Sequence, residues 1–453
     1  MGARFVNVDR ETPMLFPVDM RDWIPEKHPV HFIIDAVEEL GLQSFQVNVK
    51  GTGNEQYNPM MMLSLLIYCY STGRFHSRKI EDATYTDVSV RYICGGSLHP
   101  DHDTICKFRR ENGELFKECF VKVLAMANRL GVLKRSGCVS MDGTKIRANA
   151  SKSQTIRYRE AGKIIEQLSL EVEVLMKKAE EADSIGDDGG MSIPEEISRR
   201  EERVGKLKEA RRIIEEQFEE KRLADREEYE KKLEQMRRKR DDGEDGRSLR
   251  PNTPKKKSID EFKYNFTDPE SKMMRRSNGD GYDQLYNAQS VVDGEGSRLI
   301  LGGYVTDSGN DLKELSCGVK SVDGEVRKIS EVLVDGGYFN DELIEEVEDG
   351  GDIKVYAPVG KTFNPEKAEK RSPLREEMFK RIQTKEGMEK QRKRRQISEP
   401  VFGIIKEVMG FRSFVMRGLA KVNLEWDLIT LAYNFKRLFK LLGMPEFLKQ
   451  AGA

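Results

Sequence analysis

Soft metal ligands and cross-linking residues are scarce in this chain: its 453 residues include six cysteines, five histidines and two tryptophans. The cysteines, at 69, 94, 106, 119, 138 and 317, make no CxxC pair and no disulfide-framework spacing, so a reduced compartment is expected. Cys94, His99, His102 and Cys106 fall close together, but their spacing fits none of the usual zinc pairs. Loop and helix-cap roles are the better expectation for the two histidines. No stretch is apolar for the roughly 18 residues that a membrane span requires, and the N-terminus lacks the basic start and apolar core of a signal peptide. A cytoplasmic location is therefore expected. An excess of charge of one sign is also missing. With 77 basic against 78 acidic residues, the balance argues against a uniformly basic coat for nucleic acid, and any such affinity has to come from local patches. The length allows roughly two to four domains with ample buried core.

What is present divides the chain into regions. Residues 1–135 read as helical: Asn58 and Pro59 form a helix start before MMMLSLLIYCY, Ser77 is a candidate cap for the next segment, and Asp103 for TICKFRRENGELF. Short helices with Arg91, Arg109 and Arg110 suit a DNA-binding domain of helix-turn-helix type or a helical packing domain. From Arg157 to about Arg250 the chain is dense in Glu, Lys and Arg. Ala161, Ile165, Leu168, Val172, Leu175 and Ala179 alternate four and three apart, the spacing of a coiled-coil seam. After SIGDDGG (184–190) a second long helix carries Ile197, Val204, Leu207, Ile214 and Phe218, which predicts an antiparallel helical hairpin inserted at 157–260. The basic stretch RSLRPNTPKKKS (247–258) reads as an extended return.

Around this insertion the pattern is that of strands. Asp142 follows the apolar CVSM, and Asp335 closes the β-branched run VLVD before GGY and a helix in NDELIEEVE. Each aspartate sits where a strand gives way to small residues, which holds a carboxylate at the rim of a sheet. YNAQSVVD and LILGGYVTD predict a hairpin around GEGS, and IKVYAP (353–358) a fifth strand. Asp307 and Asp311 lie after the third strand, where Asp311 is expected to cap a helix beginning DLKEL.

Arg395, Glu399 and Lys406 are spaced with three residues before the glutamate and six after it, beyond a nearly pure basic run, KQRKRRQ. Ser398 and Pro400 predict a helix start at Glu399, with Lys406 two turns on along the same face and Val401, Ile404 and Ile405 toward the core. With Asp142 and Asp335 this spacing resembles that of the DDE transposases of bacterial insertion sequences. YNAQSVVD (286–293), LVDGGYFN (333–340), EPVFGIIKEVMGFRSFVMRG (399–418) and NLEWDLITLAYNFKRL (423–438) are similar to that family's blocks, in its order, and HPDHDTICKFRR (99–110) to the end of its N-terminal domain. The chain departs from the family's tyrosine-arginine-glutamate-lysine signature at Arg392, which stands where the tyrosine belongs.

The resemblance implies an α/β, RNase H-like catalytic core built from 136–156 and 261–453, with an N-terminal DNA-binding domain and the helical insertion between. Asp142, Asp335 and Glu399 are then the catalytic residues and the ligands of two Mg²⁺ ions, with Mn²⁺ as a substitute. Arg395 and Lys406 contact DNA, with Arg392, Arg394, Arg109 and Arg110 as further candidates. The partners implied are terminal inverted repeats, target DNA and further copies of the chain. Two alternatives stay open: a nuclease on the same fold that does not transpose, and a silent DNA-binding or scaffolding descendant. Glu425, in NLEWDL, is expected to be structural.

Overall fold

The computed structural model describes residues 19–46, 56–185, 193–241, 253, 258–276, 279, 281–350, 352–360 and 373–443. Six helices come first: α1 (Pro29–Glu39), α2 (Pro59–Ser71), α3 (Ser77–Thr86), α4 (Val88–Ile93), α5 (His102–Glu111) and α6 (Gly113–Arg129). α2 starts as the sequence predicts, with Asn58 Oδ1 accepting the Met60 N–H at 2.8 Å and Pro59 in the first turn. The other two caps differ. His76 takes the cap position of α3, which makes Ser77 its first residue. Asp101, whose backbone is extended, accepts the Thr104 N–H at 2.7 Å, while Asp103 already lies inside the first turn. His99 stacks on Tyr85 at 3.9 Å, and His102 pairs with Glu81 at 2.8 Å.

α2 is apolar on nearly every face, so it has to be buried on every face. Part of its cover comes from the far end of the chain. The last helix, α13 (Leu419–Leu442), packs on α2 and α6, and Phe435 and Phe439 stand 6.1 Å and 5.8 Å from Phe32 of α1. One hydrophobic core therefore runs from the N-terminal helices through α13 into the sheet.

That sheet has five principal strands: β1 (Ser136–Arg147), β5 (Tyr282–Asp293), β6 (Ile300–Thr306), β7 (Lys328–Leu333) and β8 (Lys354–Tyr356). Their order is β6-β5-β1-β7-β8, antiparallel from β6 to β1 and parallel from β1 to β8. A short β4 (Lys272–Arg275) pairs with the first part of β5. The predicted hairpin and fifth strand are both present.

Two small strands, β2 (Thr155–Arg157) and β3 (Lys263–Asn265), pair at the base of the insertion. Above them α7 (Tyr158–Ile185) and α8 (Ile193–Asp241) lie antiparallel, with Arg200 2.9 Å from Glu171 and Arg211 over the Tyr158 ring. The predicted seam is the covered one: Ala161, Leu168 and Leu207 are buried with Ile156, and Ile165 and Val204 pack against them. Most of the connecting turn at 184–190 and most of the basic stretch at 247–258 lie outside the described residues. The second half of α8 runs on to the core, where Glu228 pairs with Lys313 and Lys232 with Glu342.

After β6 come α9 (Leu315–Lys320) and, beyond β7, α10 (Asp341–Glu348). α11 (Pro373–Gln383) and α12 (Lys385–Gly403) follow β8. Glu399 does not open a helix, contrary to expectation. α12 begins fourteen residues earlier, because Thr384 Oγ1 accepts the Gly387 N–H at 3.0 Å and a run of good helix formers follows. Pro400 is tolerated inside its last turn, and a single π turn, Ile404–Val408, succeeds it. No helix among the described residues is long and apolar enough to cross a membrane.

Candidate active site

Asp142 lies midway along β1, and Asp335 is the second residue after the end of β7. These strands are parallel neighbours with Ser140 opposite Leu333, so the register continued by two residues sets the two aspartates side by side. Asp335 Oδ1 accepts the Gly337 N–H at 2.8 Å, which closes a tight turn over Gly336–Tyr338. Burial pushes the Asp142 carboxyl up to about 6; Arg394 and the Gly143 N–H pull it back, while the carboxylates of Asp335 and Asp311 push it further.

Asp311 was expected at a helix cap. The helix begins later, at Leu315 with Glu314 in the cap position, and Asp311 turns to the sheet. Its Oδ1 accepts from Asn287 Nδ2 and from Gln289 Nε2, both at 2.7 Å. The Tyr338 hydroxyl donates to Gln289 Oε1, which fixes that amide, and burial beside Asp311, Asp142 and Asp335 drives the tyrosine's pKa up. Sequence reading missed Asp311, although a signal existed: Asn287 and Gln289 are polar, two apart and fully buried on one face of β5.

α12 lies along β1 on the other side, where Ser398 Oγ meets Ser140 Oγ at 2.7 Å. Glu399 is the next residue; it is exposed, and its side chain makes no hydrogen bond or ion pair with a described residue. The α12 side chain that reaches Asp142 is Arg394, at 3.6 Å. Lys406 is turned inward: its Nζ donates to Thr144 Oγ1 and to the Lys145 carbonyl, and burial lowers its pKa. Arg392 and Arg395 are exposed. Arg109 is 4% exposed, and its guanidinium donates to the Tyr70 hydroxyl at 2.8 Å and the Phe75 carbonyl at 2.9 Å, so it holds the N-terminal core together and offers no free face to a phosphate.

A family model described as a transposase domain matches residues 18–111. One described as a transposase DDE domain matches residues 358–439. Together the two matches support an insertion-sequence DDE transposase. No curated protein and no solved structure matches it. The DDE match begins after Asp142 and Asp335, and the segment it covers includes Arg394, Arg395, Glu399, Lys406 and Glu425.

DDE transposases generally use divalent metals, and the residues present suit such an ion in part. Asp142 and Asp335 offer hard carboxylate oxygens, and Ser290, opposite Asp142 in the β1–β5 register, has a buried hydroxyl without a partner. Glu399 stands apart from them, and among the described residues no three His, Cys, Asp or Glu side chains converge closely enough to hold a metal ion.

Glu425 does other work. Buried within α13, it accepts the N–H groups of Val415 and Met416, each at 2.9 Å. The same segment is bonded to the end of β1 through Phe414 N–H to the Arg147 carbonyl. Arg110 is exposed and lines a groove of about 480 Å³ with Arg78, Asn149, Arg417 and Lys421, between the N-terminal helices and the segment after α12.

Proposed function

We propose that this transposase binds the ends of its element, cleaves the DNA there and transfers the freed strand to a target, with Asp142, Asp335 and Glu399 as its catalytic carboxylates. The observation that carries the reading is the placement of Asp142 on β1 and of Asp335 just past the end of its parallel neighbour β7, beside the helix that holds Glu399. A five-stranded sheet in the order β6-β5-β1-β7-β8 with an acid on its central strand supports an RNase H-like core. Two Mg²⁺ ions, with Mn²⁺ as a substitute, would supply an activated water or DNA 3′-hydroxyl and a counter-charge for the leaving oxygen.

The chain's own residues provide the rest. Asp142 and Asp335 present oxygens from a rigid sheet. Glu399, exposed at the end of α12, is free to turn toward them, and Arg394 leaves Asp142 for a phosphate as it does so. Lys406 ties the end of α12 to β1 through Thr144 and the Lys145 carbonyl, and it contacts the backbone once DNA replaces those bonds. Arg392 and Arg395 extend the basic face, and Arg110 with its groove continues it toward the N-terminal helices, which read the terminal repeats. Arg109 acts through packing. Joining two ends calls for a dimer or larger assembly on DNA.

We read the chain as a member of the tyrosine-arginine-glutamate-lysine branch on the spacing of Arg395, Glu399 and Lys406, with Arg392 departing from it at the tyrosine position. That change, with the outward Glu399, favours a silent DNA-binding descendant as the second reading. Mixing the protein with Mg²⁺ and DNA bearing the flanking ends of its own gene separates the two. Mapped nicks and joined products support the first reading; end binding without either supports the second.

A further inference from the structure

We propose that the groove beside Arg110 is a phosphate clamp, which grips the backbone of the element-end duplex to one side of the cut and so sets where the strand is broken. The inference rests on the DNA-cleaving reading above and adds to it the choice of the cut position. Four exposed cations face the groove: Arg78 from α3, Arg110 from α5, Arg417 from the segment after α12 and Lys421 from the first turn of α13. None of the lining residues is acidic. Among the described residues none of the four is held in an ion pair, and Arg417 Nε donates only to the Asn149 carbonyl, at 3.0 Å.

Like charges gathered without a counter-charge repel one another, so the arrangement becomes favourable when an anion enters. The carboxylates bonded to this stretch are turned to main-chain N–H groups instead: Glu425 to Val415 and Met416, Asp268 to Gly418, and Glu270 to Leu419. A second observation comes from beneath. Arg109 also borders the groove; it is 4% exposed, and its Nε is buried without a partner. Its other donors go to the Tyr70 hydroxyl, the Phe75 carbonyl and the Cys106 sulfur, which leaves a fixed positive charge under the groove with no carboxylate bonded to it. Cations spread over both walls of a space of about 480 Å³ suit successive phosphates of one strand.

The groove is tied to the catalytic strand. The Phe414 N–H donates to the Arg147 carbonyl at 2.8 Å and Asn149 Nδ2 to the Val415 carbonyl at 2.6 Å, so the segment that carries Arg417 is fixed to the end of β1. Asn149 lies seven residues beyond Asp142, about 20 Å at the rise of a strand. At about 3.4 Å per base pair, a duplex laid along β1 meets the groove about six base pairs from the phosphodiester at Asp142. Lys406, bonded to Thr144 and to the Lys145 carbonyl, stands on that path.

The test uses the full chain, duplexes bearing the flanking ends of its own gene, and the same duplexes with single methylphosphonate linkages, which lack the phosphate charge. Wild-type binding is expected to weaken about tenfold when the neutral linkage lies about six base pairs from the nick. The double substitution Arg110→Gln, Lys421→Gln should erase that difference, lower the slope of log affinity against log salt by about two, and spread the nicks over neighbouring phosphodiesters. It should melt at or above the wild-type temperature, because unpaired like charges are removed. The charge-preserving pair Arg110→Lys, Lys421→Arg should restore the salt slope and the cut position, which a role in packing alone would not. An unchanged salt slope and an undiminished methylphosphonate effect in the folded Gln variant overturn the clamp. A wild-type chain that binds the ends without cutting them overturns the cleavage reading instead, and the salt slope of the variant still decides the clamp.

Discussion

Arg394 Nη1 lies 3.6 Å from Asp142 Oδ2, so in this conformation the cation beside the central aspartate comes from the protein's own α12. Both side chains are largely covered, which protects the pair from solvent screening. A metal ion has to displace the guanidinium or share the carboxylate with it. Replacing Arg394 by Gln is expected to strengthen Mn²⁺ binding about fivefold, equivalent to about 1 kcal/mol, while lowering the rate of DNA cleavage. Calorimetry and a nicking assay on the same preparation check both, and weaker Mn²⁺ binding would show that Arg394 supports the site in some other way.

The same carboxyl sets a pH dependence. Asp142, pushed up to about 6 by burial, ligates a cation only when ionised. Mn²⁺ affinity should fall as pH drops through about 6, by about tenfold between pH 7 and pH 5. Metal binding that is flat over that interval removes Asp142 from the ligand set.

Glu425 predicts a stability effect of the opposite sense to an ordinary salt-bridged acid. Burial raises it from 4.5 to about 7 against the pull of the Met416 and Val415 N–H groups and of Arg109. The folded chain then binds this proton more tightly than the unfolded chain. Its contribution is fully present below about 4.5 and is lost as pH rises through about 7, on the order of 3 kcal/mol in total. Denaturation followed from pH 5 to pH 8 should show stability falling with pH, and the slope should be shallower in Glu425→Gln.

Opening the helical insertion should leave the sheet intact. Leu207 is one of four residues in a small core shared by α7, α8 and β2. Leu207→Ala is expected to cost about 2–4 kcal/mol, confined to that unit. Hydrogen exchange should quicken along α7 and α8 while β1 and β7 keep their protection.

Much of this architecture could be read from the sequence where periodicity and burial agree. The Ala161–Leu168 seam, the β5–β6 hairpin and the strand-then-aspartate pattern at Asp335 are local signals, and each produced the element it predicts. Asp311 was missed because the signal for it was indirect: its partners, Asn287 and Gln289, are two polar residues on β5, more than twenty residues away from its loop. Arg109 looked like a phosphate ligand among basic residues, yet Tyr70 and Phe75 draw it inward across the helix interface. The start of α12 was misplaced because Ser398 and Pro400 carry the composition of a helix start, whereas the helix opens at Thr384, whose side chain accepts the Gly387 N–H.

The central claim is that DNA is cut at Asp142, Asp335 and Glu399. Mg²⁺-dependent cleavage of end-bearing DNA by Glu399→Gln and Glu425→Gln, each shown to be folded and to bind the ends, tests it most directly. Glu399 is exposed at the end of α12, whereas Glu425 is buried against the Val415 and Met416 N–H groups. The account predicts that Glu399→Gln loses cleavage by about 100-fold or more, as do Asp142→Asn and Asp335→Asn, with end binding unchanged, and that Glu425→Gln still cuts. Full cleavage by Glu399→Gln together with a folded but inactive Glu425→Gln would contradict it.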